Sequence, residues 1–216
     1  MITTGDSIEN PATGETVTFL QTAQDSDGET VVIDVRLAPG GVASAAHVHP
    51  NQTETFRVVE GLVGFRLGGR RVVATEGETI VDEPGTAHRF WNAGTGDARF
   101  VCEVRPALEF QRLLETMFAL ARDGKTNSRG VPHPLRLAAI AAHHRRDIAL
   151  PLLPRALQDA ATTLGAAVAW AAAELGPIYD GQAAAPSVET EQPDFASKAP
   201  LRWSTLPTSY PERIAP

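Results

Sequence analysis

The sequence predicts a mainly β fold, a jelly roll or closed barrel, followed by a small α-helical C-terminal extension. Three observations predict it. From about residue 15 to 105, Gly, Pro, Asp and Asn punctuate the chain at short intervals, with β-branched and aromatic runs between them. Beyond Pro106 the apolar residues take up three- and four-residue spacing. From about residue 181 the chain is rich in Pro, Ser and Ala and has no period, the composition of an irregular tail.

The strands justify the first observation in order. TVVIDVRLAPGG sets Val31, Ile33, Val35 and Leu37 against Val32, Asp34 and Arg36, as a half-buried strand does, and ends in a Pro-Gly-Gly turn. TETFRVVEG and LVGFRLGGRRVVATEG give a strand, a glycine turn, a strand, a Gly68-Gly69 hairpin and a further strand. GETIVDEPGTAHRFWNAGTGDARFVCEV continues the series through a Pro84-Gly85 turn and an Asn-Ala-Gly-Thr-Gly loop. Many short strands in one block favour closure, which removes exposed sheet edges.

Three helices are expected after the strands. FQRLLETMFALARDGKT places Phe110, Leu113, Leu114, Met117, Phe118 and Ala121 on one stripe and stops at Gly124. VPHPLRLAAIAAHHRRD starts a second helix near Pro134, and LPRALQDAATTLGAAVAWAAAELG gives a third, ending at Gly176-Pro177. The division expected is a β-barrel over 1–108, a helical extension over 109–178 that packs on the barrel or on a partner chain, and an irregular tail over 179–216.

Length and charge bound the function. The 216 residues suffice for one complete core. A formal net charge of −7 argues against a nucleic-acid partner, which requires a basic stripe. The Ala-rich run at 160–176 is too short for a membrane span of about 20 apolar residues. A lone Cys102 and an N-terminus without a basic, apolar leader lead to the expectation of a cytoplasmic protein. A small-molecule ligand and a homodimer are the partners expected.

GVASAAHVHPNQTETFRVVEG, residues 41–61, concentrates the chemistry. His47 and His49 are two apart, so on a strand they share a face. Glu54 follows the Pro50-Asn51 turn signal, and a strand there can return its carboxylate to the imidazoles. Two nitrogens and one oxygen suit a divalent cation, and a fourth ligand has a candidate in His88, within GETIVDEPGTAHRFWN at 77–92.

Together the two stretches resemble the cupin superfamily. The first fits its first motif at Gly41, His47, His49, Glu54 and Gly61. The second fits at Gly77, Gly85, His88 and Asn92, and departs at Glu83, where the family usually has proline. The resemblance covers about residues 30–105. It implies a double-stranded β-helix of six to eight strands in which His47, His49, Glu54 and His88 bind one divalent transition metal, with Asn92 and the glycines forming turns. Fe(II) is favoured, and Mn, Ni, Zn and Cu fit the same donors.

Strand parity assigns the neighbours. Phe56 and Val58 share the Glu54 face and Phe90 the His88 face, while Arg57, Arg89 and Trp91 point outward. Arg66 has no fixed parity, because Gly64 and Gly68-Gly69 permit bulges. Cys102 alternates with Phe100 and Val104 and reads as a small buried residue. His133, His143 and His144 read as structural, the last two forming a solvated basic helix end with Arg145 and Arg146.

The reading that follows is a metal-dependent enzyme, a dioxygenase-type oxidoreductase acting on a small organic molecule, with catalysis centred on the metal rather than on a nameable side chain. Two alternatives stand beside it: a non-catalytic binding or sensing protein, and a metal-dependent isomerase.

Overall fold

A computed structural model describes residues 2–41 and 45–151. The expected third helix and the tail lie outside the described residues, as does all of the helical extension beyond residue 151.

Among the described residues ten strands precede two α-helices: β1 (Ser7–Asn10), β2 (Glu15–Gln21), β3 (Val31–Leu37), β4 (His47–Val48), β5 (Thr53–Glu60), β6 (Val63–Leu67), β7 (Arg70–Ala74), β8 (Thr79–Asp82), β9 (Ala87–Asn92), β10 (Ala98–Arg105), α1 (Phe110–Arg122) and α2 (Pro134–His143). They form a six-stranded sheet in the order β1-β2-β3-β10-β5-β8 and a four-stranded sheet in the order β4-β9-β6-β7. The named pairings are antiparallel. Both inner faces bury one core that includes Phe19, Leu37, Phe56, Phe65 and Phe100. The expected two-sheet β architecture is present. Its strand count exceeds six to eight because β1 and β2 extend one sheet beyond β3 and β4 is a two-residue addition to the other.

β3 departs from the half-buried expectation, since only Arg36 along it is exposed. The alternation of faces survives, but both faces are covered. Val31, Ile33, Val35 and Leu37 enter the main core, while Val32 packs with Leu20 and Val101 on the other side. On that second face Arg99 also grips Asp34 through two guanidinium nitrogens, Nε at 2.9 Å from Oδ1 and Nη2 at 2.6 Å from Oδ2.

The Gly68-Gly69 hairpin forms as expected, with φ of 52° and 90°, because a tight two-residue turn between twisted strands needs two left-handed residues. β6 carries no bulge in its pairing with β7 or β9, so Arg66 acquires a definite parity and is exposed on the outer face.

α1 packs on the barrel through Phe110 and Phe118, and on α2 through Leu113 and Leu120 against Ile140. It ends as expected at Gly124 (φ 67°), where the Lys125 and Gly124 amides donate to the carbonyls of Leu120 and Ala121 at 2.8 and 3.0 Å. His133 caps α2, its Nδ1 accepting the Leu135 amide at 3.4 Å, with Pro134 next in line. His143, Arg145 and Arg146 are exposed, but His144 is not the solvated residue expected: it is 3% exposed, beside Asp147. The chain folds back on itself after α2, with the Asp147 amide donating to the His144 carbonyl, and this turn carries His144 inward. Among the described residues no helix is long and apolar enough to cross a membrane.

Candidate metal centre

The two sheets bring the four expected ligands together at one end of the core. In the four-stranded sheet β4 pairs with β9 so that His47 faces His88 directly. In the six-stranded sheet β5 pairs with β8, and Glu54 faces Asp82. His49 follows β4 in the connection to β5, and its carbonyl accepts the Gly85 amide at 2.9 Å, which ties the two sequence motifs together. Gly85 has φ 86°, the left-handed conformation this turn requires.

The distances suit a single cation. His47 Nε2 lies 3.1 Å from His49 Nε2, His88 Nε2 lies 3.0 Å from Glu54 Oε2, and His49 Nε2 lies 3.7 Å from Glu54 Oε1. Donors bound at about 2.1 Å to one ion sit about 3 Å apart when adjacent in an octahedron, so these separations leave room for the ion and little else.

The outward nitrogens explain why the inward ones are bare. His47 Nδ1 is 3.1 Å from the Ala45 carbonyl, and His49 Nδ1 is 2.5 Å from the Asp147 carbonyl and 3.1 Å from Gln52 Oε1. Carbonyls only accept, so each Nδ1 holds the proton and each Nε2 presents a lone pair. Gln52 is itself oriented, since its Nε2 donates to the carbonyls of Pro106 and Ala107 at 3.1 Å each, which turns Oε1 toward His49. Two lone pairs facing at 3.1 Å repel unless a cation lies between them. Glu54 Oε2 and both ring nitrogens of His88 are fully buried without an aligned hydrogen bond, although Glu54 and Asp82 lie within ion-pair distance of that ring. The donor set therefore fits a divalent metal.

Electrostatics divide the donors into charged and neutral groups. Burial pushes the Glu54 carboxyl up, but His49 and His88 outweigh it and hold the group at about 2, ionised and ready to ligate. Burial and the neighbouring charges of His88 and His49 hold His47 well below its usual value, hence neutral. Burial also lowers His88, yet the Glu54 charge and Asp82 together raise it to about 10, so this ring favours a proton on Nε2 facing Glu54, which a metal would have to displace. Asp82 Oδ2 stands 2.6 Å from His88 Nδ1, the position from which a carboxylate orients a ligating imidazole.

Asp82, Gln52 and Asp147 are the contributors that sequence reasoning misses. Gln52 shares Glu54's parity, and Asp82 alternates with Ile80, so both had a weak local signal. Asp147 is 98 residues from His49 and had none.

The surroundings match the parity reading. Phe56 and Val58 are buried, and Phe56 meets Phe65, Phe90, Phe100 and His88 at ring separations of 5.2, 5.8, 5.6 and 6.2 Å. Phe110 presents an edge to His49 at 5.7 Å. Arg89 is exposed, and Trp91 lies on the outer face. Burial raises the Cys102 thiol well above its usual range, which makes it an inert core residue. The Asn92 side chain ties the turns as expected, donating to the carbonyls of Leu37, Ala38 and Gly96 and accepting from the Gly94 amide.

Residues 33–104 match the family model for the cupin domain. The chain is 30% identical over 78 residues to "Probable oxidoreductase virH" of Hypocrea virens, an alignment covering 35% of this chain and 36% of that protein. It is 32% identical over 75 residues to "Oxidoreductase iacF" of Pestalotiopsis fici, covering 33% and 37%. The chain thus spans about a third of the length of these curated relatives. Among solved structures, a predicted oxalate decarboxylase from Thermotoga maritima is 19% identical with a TM-score of 0.43, covering 49% of this chain and 99% of that one.

Proposed function

We propose that His47, His49, Glu54 and His88 hold one divalent transition metal and that the protein is a metal-dependent oxidoreductase, a reading supported by the match of residues 33–104 to the family model for the cupin domain. The observation that carries the metal reading is the pair of bare imidazole nitrogens facing each other at 3.1 Å, with a buried carboxylate beside them. The reaction class is supported by the oxidoreductase names of the two fungal relatives. The finer reading is a dioxygenase acting on a small organic molecule, with Fe(II) the favoured ion.

A redox-active ion held by His47, His49, Glu54 and His88 would supply electron transfer between an organic substrate and dioxygen, with both oxygen atoms passing to the product and no external reductant needed. The protein residues contribute position and protonation. Ala45, Gln52, Asp147 and Asp82 keep or orient the outward side of the imidazoles so that Nε2 remains the donor. Phe56 and Phe110 pack beside His88 and His49 and exclude water from that side of the donors.

Metal analysis of the purified protein, followed by oxygen-consumption screening of the Fe(II)-loaded form against small organic acids, phenols and diketones, tests the proposal. Stoichiometric metal that is lost in His47→Ala and His88→Ala, with substrate-dependent oxygen uptake, is the expected result. A folded wild-type protein that takes up no Fe, Mn, Ni, Zn or Cu sinks the metal reading, and metal binding without oxygen uptake for any compound sinks the dioxygenase reading.

A further inference from the structure

The segment after α2, from His144 to Ala149, returns to the barrel and lies against the loop that carries two of the proposed ligands. Its contacts are specific. Val48, which sits between His47 and His49, exchanges two backbone hydrogen bonds with Ala149, at 3.1 and 2.8 Å. The Asn51 side-chain amide donates to the Arg146 carbonyl at 2.8 Å. The Asp147 carbonyl receives His49 Nδ1 at 2.5 Å. Asp147, 2% exposed, is in turn fixed by its own side chain, whose Oδ1 accepts the Glu109 amide at 2.8 Å where α1 begins.

These contacts matter because β4 is only two residues long and pairs with β9 on one side. So short a strand has little ladder of its own to hold it. The Val48–Ala149 bridge supplies its second neighbour. The order of the ligand loop thus depends on residues about 100 positions further along the chain.

We infer that residues 144–149 form a positioning strap for the metal centre and that Asp147 is its key positioning residue, acting through His49. This rests on the metal reading above. The helical extension is then part of the site rather than a separate appendage: it fixes which His49 nitrogen carries the proton and how the ring is aimed. Because binding linkage is reciprocal, metal that favours the ordered loop also favours the docked strap.

Co(II), read by its visible absorption and by competition with a chelator, tests this on the full-length protein. Asp147→Ala removes the Oδ1 anchor and is expected to weaken Co(II) binding about 10- to 100-fold and to shift the absorption bands, as loss of an outer-shell partner does. Asp147→Asn retains an oxygen for the Glu109 amide and is expected to return most of the affinity and the wild-type spectrum. Should Asp147→Ala fail to fold, Asn51→Ala, at an exposed residue, removes the Arg146 anchor and is expected to weaken binding in the same direction. In the wild type, Co(II) is expected to slow hydrogen exchange at the Val48 and Ala149 amides. Folded variants that bind Co(II) with wild-type affinity and spectrum overturn the strap. A wild-type protein that binds no Co(II) overturns the metal reading itself and the strap with it, an outcome told apart by the wild-type control.

Discussion

Glu54 and Asp82 stand directly opposite each other across β5 and β8, and both carboxylates reach the same imidazole, that of His88. Glu54 meets its Nε2 at 3.0 Å and Asp82 its Nδ1 at 2.6 Å. Both acids are nearly inaccessible, at 4% and 3% exposure. Two buried carboxylates around one ring are costly unless positive charge is shared among them, and a divalent ion on the Nε2 side provides more of it than a proton does.

Asp82→Ala therefore leaves His88 in place but unoriented. Its metal affinity is expected to fall about 10- to 100-fold, the usual effect of removing a ligand's carboxylate partner. Isothermal titration with Ni(II) or Mn(II) checks this, and an affinity equal to wild type would show that Asp82 plays no part in holding the ring.

That His47, His49, Glu54 and His88 come together was legible from the resemblance to the cupin superfamily, and strand spacing alone put His47 and His49 on one face and offered Glu54 and His88 as candidates. What surrounds these four residues was not. Asp82 is recognisable only once the β5–β8 register is known, and the Asp147 carbonyl belongs to no local pattern. β3 was misread for a related reason: alternation reports which face a residue takes, while exposure depends on what covers that face. His144 was misread because a helix end looks solvated from its own sequence, and only the return of the chain to the barrel buries it.

Phe56 lies at the junction of the aromatic core and the site, 1% exposed and within ring contact of Phe65, Phe90, Phe100 and His88. Phe56→Ala is expected to lower stability by about 3 to 5 kcal/mol, the cost of lost burial plus the cavity left behind. Urea unfolding with an unchanged slope checks it; a loss under about 1 kcal/mol would mean that the neighbouring rings close the gap.

Arg66, Arg71 and Arg89 form a row across β7, β6 and β9, each pair directly opposite. Arg71 and Arg89 rest over the Trp91 ring at 5.1 and 5.6 Å, while Arg66 stands between them. None of the three forms an ion pair among the described residues. Like charges facing across strands destabilise, so Arg66→Thr is expected to gain roughly 0.5 to 1 kcal/mol at low salt and to lose that advantage near 1 M salt. Arg66→Lys, which keeps the charge, serves as the control and is expected to gain nothing.

Gly64 is the position where the same outer face tolerates no side chain. It pairs with Trp91, and a Cβ built on it would come within 2.2 Å of the indole Cε2. Gly64→Ala is expected to cost about 1 to 3 kcal/mol by displacing that ring. In Gly64→Ala/Trp91→Ala the clash is gone, so the double variant should be more stable than the sum of the two single losses. Additive losses in the thermal unfolding cycle would place the cost in the backbone of β6 instead.

Glu15 gives the fold a pH dependence away from the candidate metal centre. Its carboxyl is 8% exposed and accepts a hydrogen bond from Thr13 Oγ1 at 3.1 Å. Burial raises it from 4.5 to about 7, with the Thr13 bond opposing only weakly. The native state thus holds this proton more tightly than the unfolded chain. The associated stability is present in full below about pH 4.5 and is lost as pH rises to about 7. At about 1.4 kcal/mol per pH unit, the loss by pH 8 is roughly 3 kcal/mol. Glu15→Gln keeps an oxygen for Thr13 and removes the titration. It is expected to match wild type near pH 5 and to exceed it at pH 8, and denaturant unfolding of both proteins across that range checks it. Parallel curves for the two would mean that water reaches the Glu15 carboxylate in the native protein.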